Sequence, residues 1–160
     1  MQVIEGYYNG IPSYKYKIDC DCIRNKYNYI LLKNKKILTG IKWECVEFVR
    51  RYLSIRYNIT FDLVENVYDI LNLRYFVDFD KIKPIYFNFF SKKFNVKPKV
   101  DDLILFHYKK TGHIGIISKI LNDNYVEICE QNWEKDWENI KYSRIINIDN
   151  KMIIGFLRFL

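Results

Sequence analysis

No run in the sequence approaches the ~18 consecutive apolar residues of a membrane-spanning helix. The opening residues Met1-Gln2-Val3-Ile4-Glu5-Gly6 also lack the basic and apolar regions of a secretory signal. No membrane partner is expected, and a cytoplasmic location is. Cysteine is scarce: Cys20, Cys22, Cys45 and Cys129 are too few and too irregularly spaced for a disulfide scaffold, and are expected to be free thiols. Cys20-Asp21-Cys22 has no partner pair at zinc-finger spacing. With His107 and His113 the only histidines, neither a structural metal nor a cofactor is expected. There is no internal repeat and no low-complexity linker. Basic residues form no block longer than a few positions, although 26 Lys and Arg against 19 Asp and Glu leave a net charge of +7. Such dispersed lysines read as a solvated surface rather than a nucleic-acid footprint, so nucleic acid is not an expected partner.

What the chain does hold is apolar and aromatic mass. Of its 160 residues 49% are hydrophobic, and 14 Tyr and 11 Phe contribute to an aromatic share of 18%, enough for a full core without disulfides or metal. One domain over 1–160 is the simplest organisation. The first sixteen residues read as extended chain, with turn chemistry at Asn9-Gly10 and Pro12-Ser13. Residues 19–36 stay open between helix and strand. Gly40 frees the backbone ahead of a helix that starts at Cys45. A second helix is expected over 61–73, capped by Asp62 or Asn66. Residues 75–94 read as irregular or short-helical, broken at Pro84, with their aromatics used for packing. From Pro98 the pattern turns to strands, over 103–106, 113–120, 125–131 and 152–157, with Asn122-Asp123-Asn124 as a hairpin turn. Helices first and strands afterwards predict an α+β domain, its N-terminal helices packed on an antiparallel sheet.

The run Gly40-Ile41-Lys42-Trp43-Glu44-Cys45-Val46-Glu47-Phe48-Val49-Arg50-Arg51-Tyr52-Leu53 carries the chemistry. Val46, Phe48, Val49, Tyr52, Leu53 and Ile55 recur at helical spacing, while Glu47, Arg50, Arg51 and Arg56 fill the remaining positions of an amphipathic helix. Glu47 and Arg51, one turn apart in acid-first order, read as a pair supporting the helix by about 0.2 to 0.5 kcal/mol. Cys45 falls in the first turn, where unpaired N–H groups and the helix dipole favour a thiolate. Taken alone, it also reads as a small buried hydrophobe.

A cysteine nucleophile needs a base and a group that orients the base. His113 opens a strand after Thr111-Gly112, and Gly112 leaves room for a ligand or a facing element; His107 reads as a loop-edge residue. Counted outward from Asp123, His113 lies ten residues before and Glu130 seven after, an offset of three. Glu130 reads either as the orienting carboxylate or as a solvated charge at a strand end.

The runs 42–51, Thr111-Gly112-His113-Ile114 and Glu130-Gln131-Asn132 resemble the CHAP group of papain-like cysteine amidases. More narrowly, they are similar to the amidase domain of bifunctional glutathionylspermidine synthetase/amidase. A weaker likeness runs through 69–75, Gly6-Tyr7 and Ile154-Gly155-Phe156. The resemblance implies a papain-like α+β fold, Cys45 as nucleophile, His113 as general base and Glu130 as its orienter. Arg50 and Asn132 match positions beside the family's site and are candidate substrate contacts. Trp43 is either pocket wall or core. No ATP-dependent synthetase half is expected, and hence no ligase activity. Glutathionylspermidine, cut to glutathione and spermidine, is the substrate implied. A polyamine product is cationic, so a basic protein needs a locally acidic cleft, for which Glu44, Glu47, Glu127, Glu134 and Asp136 are available. The competing readings are a CHAP-type peptidase, isopeptidase or peptidoglycan amidase, and a binding module without catalysis.

Overall fold

The computed structural model describes residues 3–15, 27–94, 96–133 and 143–159. Four short strands open the chain as two hairpins: β1 (Ile4–Tyr8) with β2 (Ile11–Tyr14), and β3 (Tyr27–Leu32) with β4 (Lys35–Ile41). Helix α1 (Cys45–Tyr57) follows. Three small strands, β5 (Ile59–Thr60), β6 (Phe76–Asp78) and β7 (Lys83–Ile85), form a sheet of their own. The main sheet is built from β8 (Phe87–Ser91), β9 (Leu103–Phe106), β10 (His113–Ile120), β11 (Tyr125–Glu130), β12 (Ser143–Asn147) and β13 (Ile153–Phe159). Its six strands are antiparallel in the order β12-β11-β10-β9-β13-β8.

Local chemistry accounts for these boundaries. Asn9 and Gly10 both take positive φ, which a two-residue hairpin turn requires, and Lys33-Asn34 closes the second hairpin the same way. Helix α1 ends at Asn58, whose left-handed backbone lets its N–H reach the carbonyls of Leu53 and Ser54. Along β13, a Cβ placed on Gly155 would stand 2.4 Å from the Phe90 carbonyl oxygen, so only glycine allows β8 and β13 to pair there.

One core joins Phe48, Val49, Tyr52 and Leu53 of α1 to Leu103, Leu105, Ile114, Ile116 and Leu157 of the sheet. A second, on alternate positions of the same strands, holds Ile104, Phe106, Ile117, Val126, Ile128 and Phe156. The mixture of one α-helix, among the described residues, with antiparallel sheet is α+β, but the expectation of N-terminal helices is corrected. Strands come first, and the expected helix at 61–73 is a six-residue 3₁₀ turn, Val67–Asn72. Its cap is Asn66, whose side chain accepts from the Asp69 N–H while Asp69 accepts from the Asn66 N–H. Pro12 and Ser13 lie within β2 rather than in a turn. The region expected to be irregular holds β6, β7 and β8, and Pro84 is accommodated because β7 is an edge strand.

The helix departs from amphipathicity. Glu47, Arg50 and Arg51 are all buried, leaving Ile55 and Arg56 as its exposed positions. The two N-terminal hairpins cover the face that the charge pattern assigned to solvent. Arg51 Nη1 donates to the Pro12 carbonyl of β2, and Thr39 Oγ1 of β4 donates to Glu47 at 2.8 Å.

Candidate active site

Three elements bring the site together. Cys45 is the first residue of α1, His113 the first of β10 and Glu130 the last of β11. The register pairs Gly115 with Glu130, placing His113 two residues away on the same face. A bulge at Ser118, between the pairs Ile117–Ile128 and Lys119–Glu127, takes up one residue of the offset read from the sequence. The remaining two residues make a diagonal neighbour, within reach of long side chains. His113 Nε2 and Glu130 Oε2 are 2.8 Å apart, both buried. The Cys45 thiol is hydrogen-bonded to the same imidazole. With Nε2 on Glu130, Nδ1 is the nitrogen left to the thiol.

Burial alone would strip the charge from His113. The Cys45 sulfur, by charge and by hydrogen bond, and then Glu130 outweigh it, and the imidazole is pushed up to about 9. Cys129 stands in contrast. Burial pushes its thiol up to about 12, against a hydrogen bond from Ser118, and Glu127 and Glu130 add to the effect.

Neighbouring groups hold this geometry. Ser13 Oγ donates to the Glu130 carbonyl at 3.1 Å, so the first hairpin clasps the end of β11. Next in sequence, Gln131 is buried and fully engaged. Its Nε2 donates to the Glu44 carbonyl and to Glu47 Oε2, and its Oε1 accepts from the Tyr14 N–H and Arg51 Nη2. The start of α1, the end of β11 and the hairpin β1–β2 are thereby tied at one side chain. Gly112 makes room for a facing element. A Cβ there would lie 3.0 Å from Val67 Cβ, and the Val67 N–H donates to the Thr111 carbonyl at 2.8 Å.

A cleft of about 740 Å³ opens over Cys45 and His113. Leu63, Val64, Glu65 and Asn66 form one part of its wall, Tyr108, Lys109 and Thr111 another, and Asn132 and Trp133 a third. Asn132 takes a left-handed backbone and donates from Nδ2 to Glu44 Oε2 at 2.8 Å.

Other expected site residues are placed elsewhere. Arg50 is 5% exposed and does not line the cleft; its guanidinium donates to the Thr39 carbonyl and to Thr60 Oγ1, and stacks on Phe61. Burial pulls it down to about 10 against the opposing pull of Asp62 and Glu47, which fits a structural tie between β4 and β5 rather than a substrate contact. Trp43 packs on Tyr14 at 4.1 Å between ring centroids and is absent from the cleft wall, so the core reading holds for it. Its counterpart in the wall is Trp133, 4.7 Å from the His113 ring. His107 is exposed and does not line the cleft.

Of the carboxylates expected to make the cleft acidic, Glu44 and Glu47 line it, but Glu47 is bound by Arg51, Thr39, Asn28 and Gln131. Glu127 accepts from Ser118. Glu134 and Asp136, like Cys20 and Cys22, lie outside the described residues. Glu65, which the sequence reading passed over, is exposed in the wall. Among the described residues no group of three or more His, Cys, Asp or Glu is placed to hold a metal, and no helix is long and apolar enough to cross a membrane.

Sequence reasoning also missed Arg144. Its Nε donates to Glu130 Oε1 and its Nη2 to Oε2 at 3.3 Å, on the carboxylate that meets His113. Pairing of β12 with β11 puts it there, and the short segment 143–147 gave no strand signal in the sequence reading.

Comparison with known proteins bears on the same stretch. The family model described as CHAP domain matches residues 37–132. Bifunctional glutathionylspermidine synthetase/amidase of Escherichia coli (strain K12) is 35% identical over 97 residues, covering 58% of this chain and 16% of that protein. The protein of the same description from Shigella flexneri matches to the same extent. This chain therefore aligns with about a sixth of the length of the curated relatives it matches.

Proposed function

This chain belongs to the CHAP domain family, and from that premise we propose that it is a hydrolase of amide bonds, a thiol amidase in which Cys45 is the nucleophile, His113 the base and acid, and Glu130 the orienter of His113. The observation that carries this reading is the unbroken chain of contacts from the Cys45 thiol through the His113 ring to Glu130, at the floor of a cleft.

The reaction balances on these residues. The Cys45 proton passes to His113 Nδ1, and the thiolate forms a bond to the amide carbonyl carbon. The C–N bond then breaks, and the amine leaves with the proton from the imidazolium, giving a thioester on Cys45. Water gives a proton to His113 and its oxygen to the thioester carbon. The C–S bond breaks, the acid departs, and the proton returns to sulfur. The backbone N–H of Cys45, at the first turn of α1, is the proposed donor to the oxyanion. In the resting site the Cys45 sulfur and Glu130 hold the imidazole up to about 9, so activity is expected to fall as pH rises through that value and the thiolate–imidazolium pair loses its proton.

Glutathionylspermidine is the proposed substrate. The reading is supported by the relatives that carry that compound in their name and by Glu65 and Glu44 in the cleft wall, which suit a cationic amine. A second reading, a peptide or isopeptide bond in an anionic polymer such as cell wall, draws support from the net charge of +7 and from Lys109 in the cleft. Incubation with glutathionylspermidine under reducing conditions decides between them. Free glutathione and spermidine in equal amounts are expected. Absence of both, with release of peptides from purified wall material, would move the assignment to the second reading.

A further inference from the structure

Glu130 sits between two partners on neighbouring strands of the sheet. On β10, His113 approaches from beyond the end of β11, since the residue facing Glu130 is Gly115. On β12, Arg144 approaches from the other direction along the strand, since it faces Ile128. Arg144 takes both carboxylate oxygens, Oε1 through Nε and Oε2 through Nη2, and Oε2 is also the oxygen that meets His113 Nε2 at 2.8 Å. The same guanidinium lies over Trp133, 3.7 Å from the ring centroid, and Trp133 in turn packs on His113. Arg144 thus touches both supports of the imidazole without touching the imidazole itself.

A planar fork fits a carboxylate side-on, fixing its orientation as well as its charge. A carboxylate shared with a guanidinium has less charge to give to an imidazolium. We infer that Arg144 is a positioning residue of the thiol–imidazole pair: it fixes the Glu130 carboxylate against His113 and, by sharing that charge, sets the upper end of the pH range over which His113 is protonated. The inference rests on the reading of Cys45 and His113 as nucleophile and base.

The other titratable groups around the pair are accounted for. Cys45 of α1 meets the ring directly, and Tyr108, in the loop after β9, lies 6.3 Å from it by ring centroids. Cys129 precedes Glu130 in β11, and its thiol is held neutral by burial. From the first hairpin, Glu5 interacts with Lys15 and accepts from Ser13 Oγ, which itself donates to the Glu130 backbone carbonyl. Besides His113 itself, Arg144 is the cation among the described residues with hydrogen bonds to Glu130.

The test is the titration of the His113 ring, followed by NMR in the full chain. The sequence has two histidines, so His107→Gln assigns the signals. Arg144→Met keeps an unbranched stem on Trp133 and removes the charge and the fork. Its His113 midpoint is expected to rise by about half to one pH unit, because Glu130 then faces the imidazole alone. Arg144→Lys restores a charge without the fork, and its midpoint is expected to return most of the way. Should the Met variant fail to fold, Arg144→Gln carries the same expectation.

An unmoved or lowered midpoint in a folded, charge-free variant, with the His107 titration intact, overturns the role of Arg144 and leaves the proposed chemistry standing. A different failure marks the chemistry itself. If the wild-type His113 midpoint does not respond to Cys45→Ala, the thiol and imidazole are not coupled, and the proposed function falls together with the inference.

Discussion

Cys45→Ala is expected to lower amide hydrolysis by at least about 10³-fold while leaving the fold intact, since removal of one member of a nucleophile–base unit costs nearly as much as removal of the unit. The loss should appear in turnover at saturating substrate, because binding in the cleft does not depend on the sulfur. Folding should be spared for a local reason. Cys45 lies at the edge of the helix core, and truncating its sulfur opens onto the cleft rather than a sealed void. The measurement is kcat for wild type and variant alongside thermal unfolding of both. Retained turnover in a folded Cys45→Ala protein would remove the thioester mechanism, and with it the roles given to His113 and Glu130.

The second large effect concerns stability. Glu47 is 0% exposed and Arg51 3%, and the pair is joined through Nε–Oε1 at 2.9 Å and Nη2–Oε2 at 3.3 Å. Arg51→Met is expected to cost about 3 to 5 kcal/mol, because it leaves a buried carboxylate without its hydrogen-bonded counter-charge. The Pro12 carbonyl and Gln131 Oε1 lose a donor at the same time. Denaturant unfolding measures the loss, and a double variant with Glu47→Gln should recover part of it, since no charge is then buried. A loss below about 0.5 kcal/mol, the value of an exposed helix pair, would show that this side of α1 is open to water. Activity should suffer as well, since Gln131, which this network holds, directly follows Glu130.

That contrast marks where the sequence could be read and where it could not. The order of Cys45, His113 and Glu130 was legible because each sits at an element end with its own local signal: a helix start, a Thr-Gly before a strand, and a carboxylate closing the next strand. Convergence was less so. The bulge at Ser118 shortens the offset between His113 and Glu130, and the sequence gives no mark of it. Glu47, Arg50 and Arg51 read as a solvated face because charge at helical spacing usually is one, whereas here two hairpins cover that face. Residues 19–36 left helix and strand open, and β3 within them is part of that cover. Arg144 reaches the site only through the pairing of β12 with β11, a contact between strands that no local pattern encodes. Trp43 and Trp133 illustrate the same limit: one lies inside a matched run and the other directly after one, and only packing separates the one on Tyr14 from the one on His113.

The account turns on a reactive thiol at the start of α1, and the most direct measurement is the rate at which iodoacetamide alkylates each cysteine at pH 6, mapped by mass spectrometry. Cys45 is expected to be labelled ~100-fold faster than Cys129 and to lose that advantage in His113→Ala, because Cys45 opens onto the cleft beside a base that takes its proton while Cys129 is sealed in the sheet. Labelling of Cys45 as slow as that of Cys129, or a Cys45 rate unchanged by His113→Ala, would contradict it.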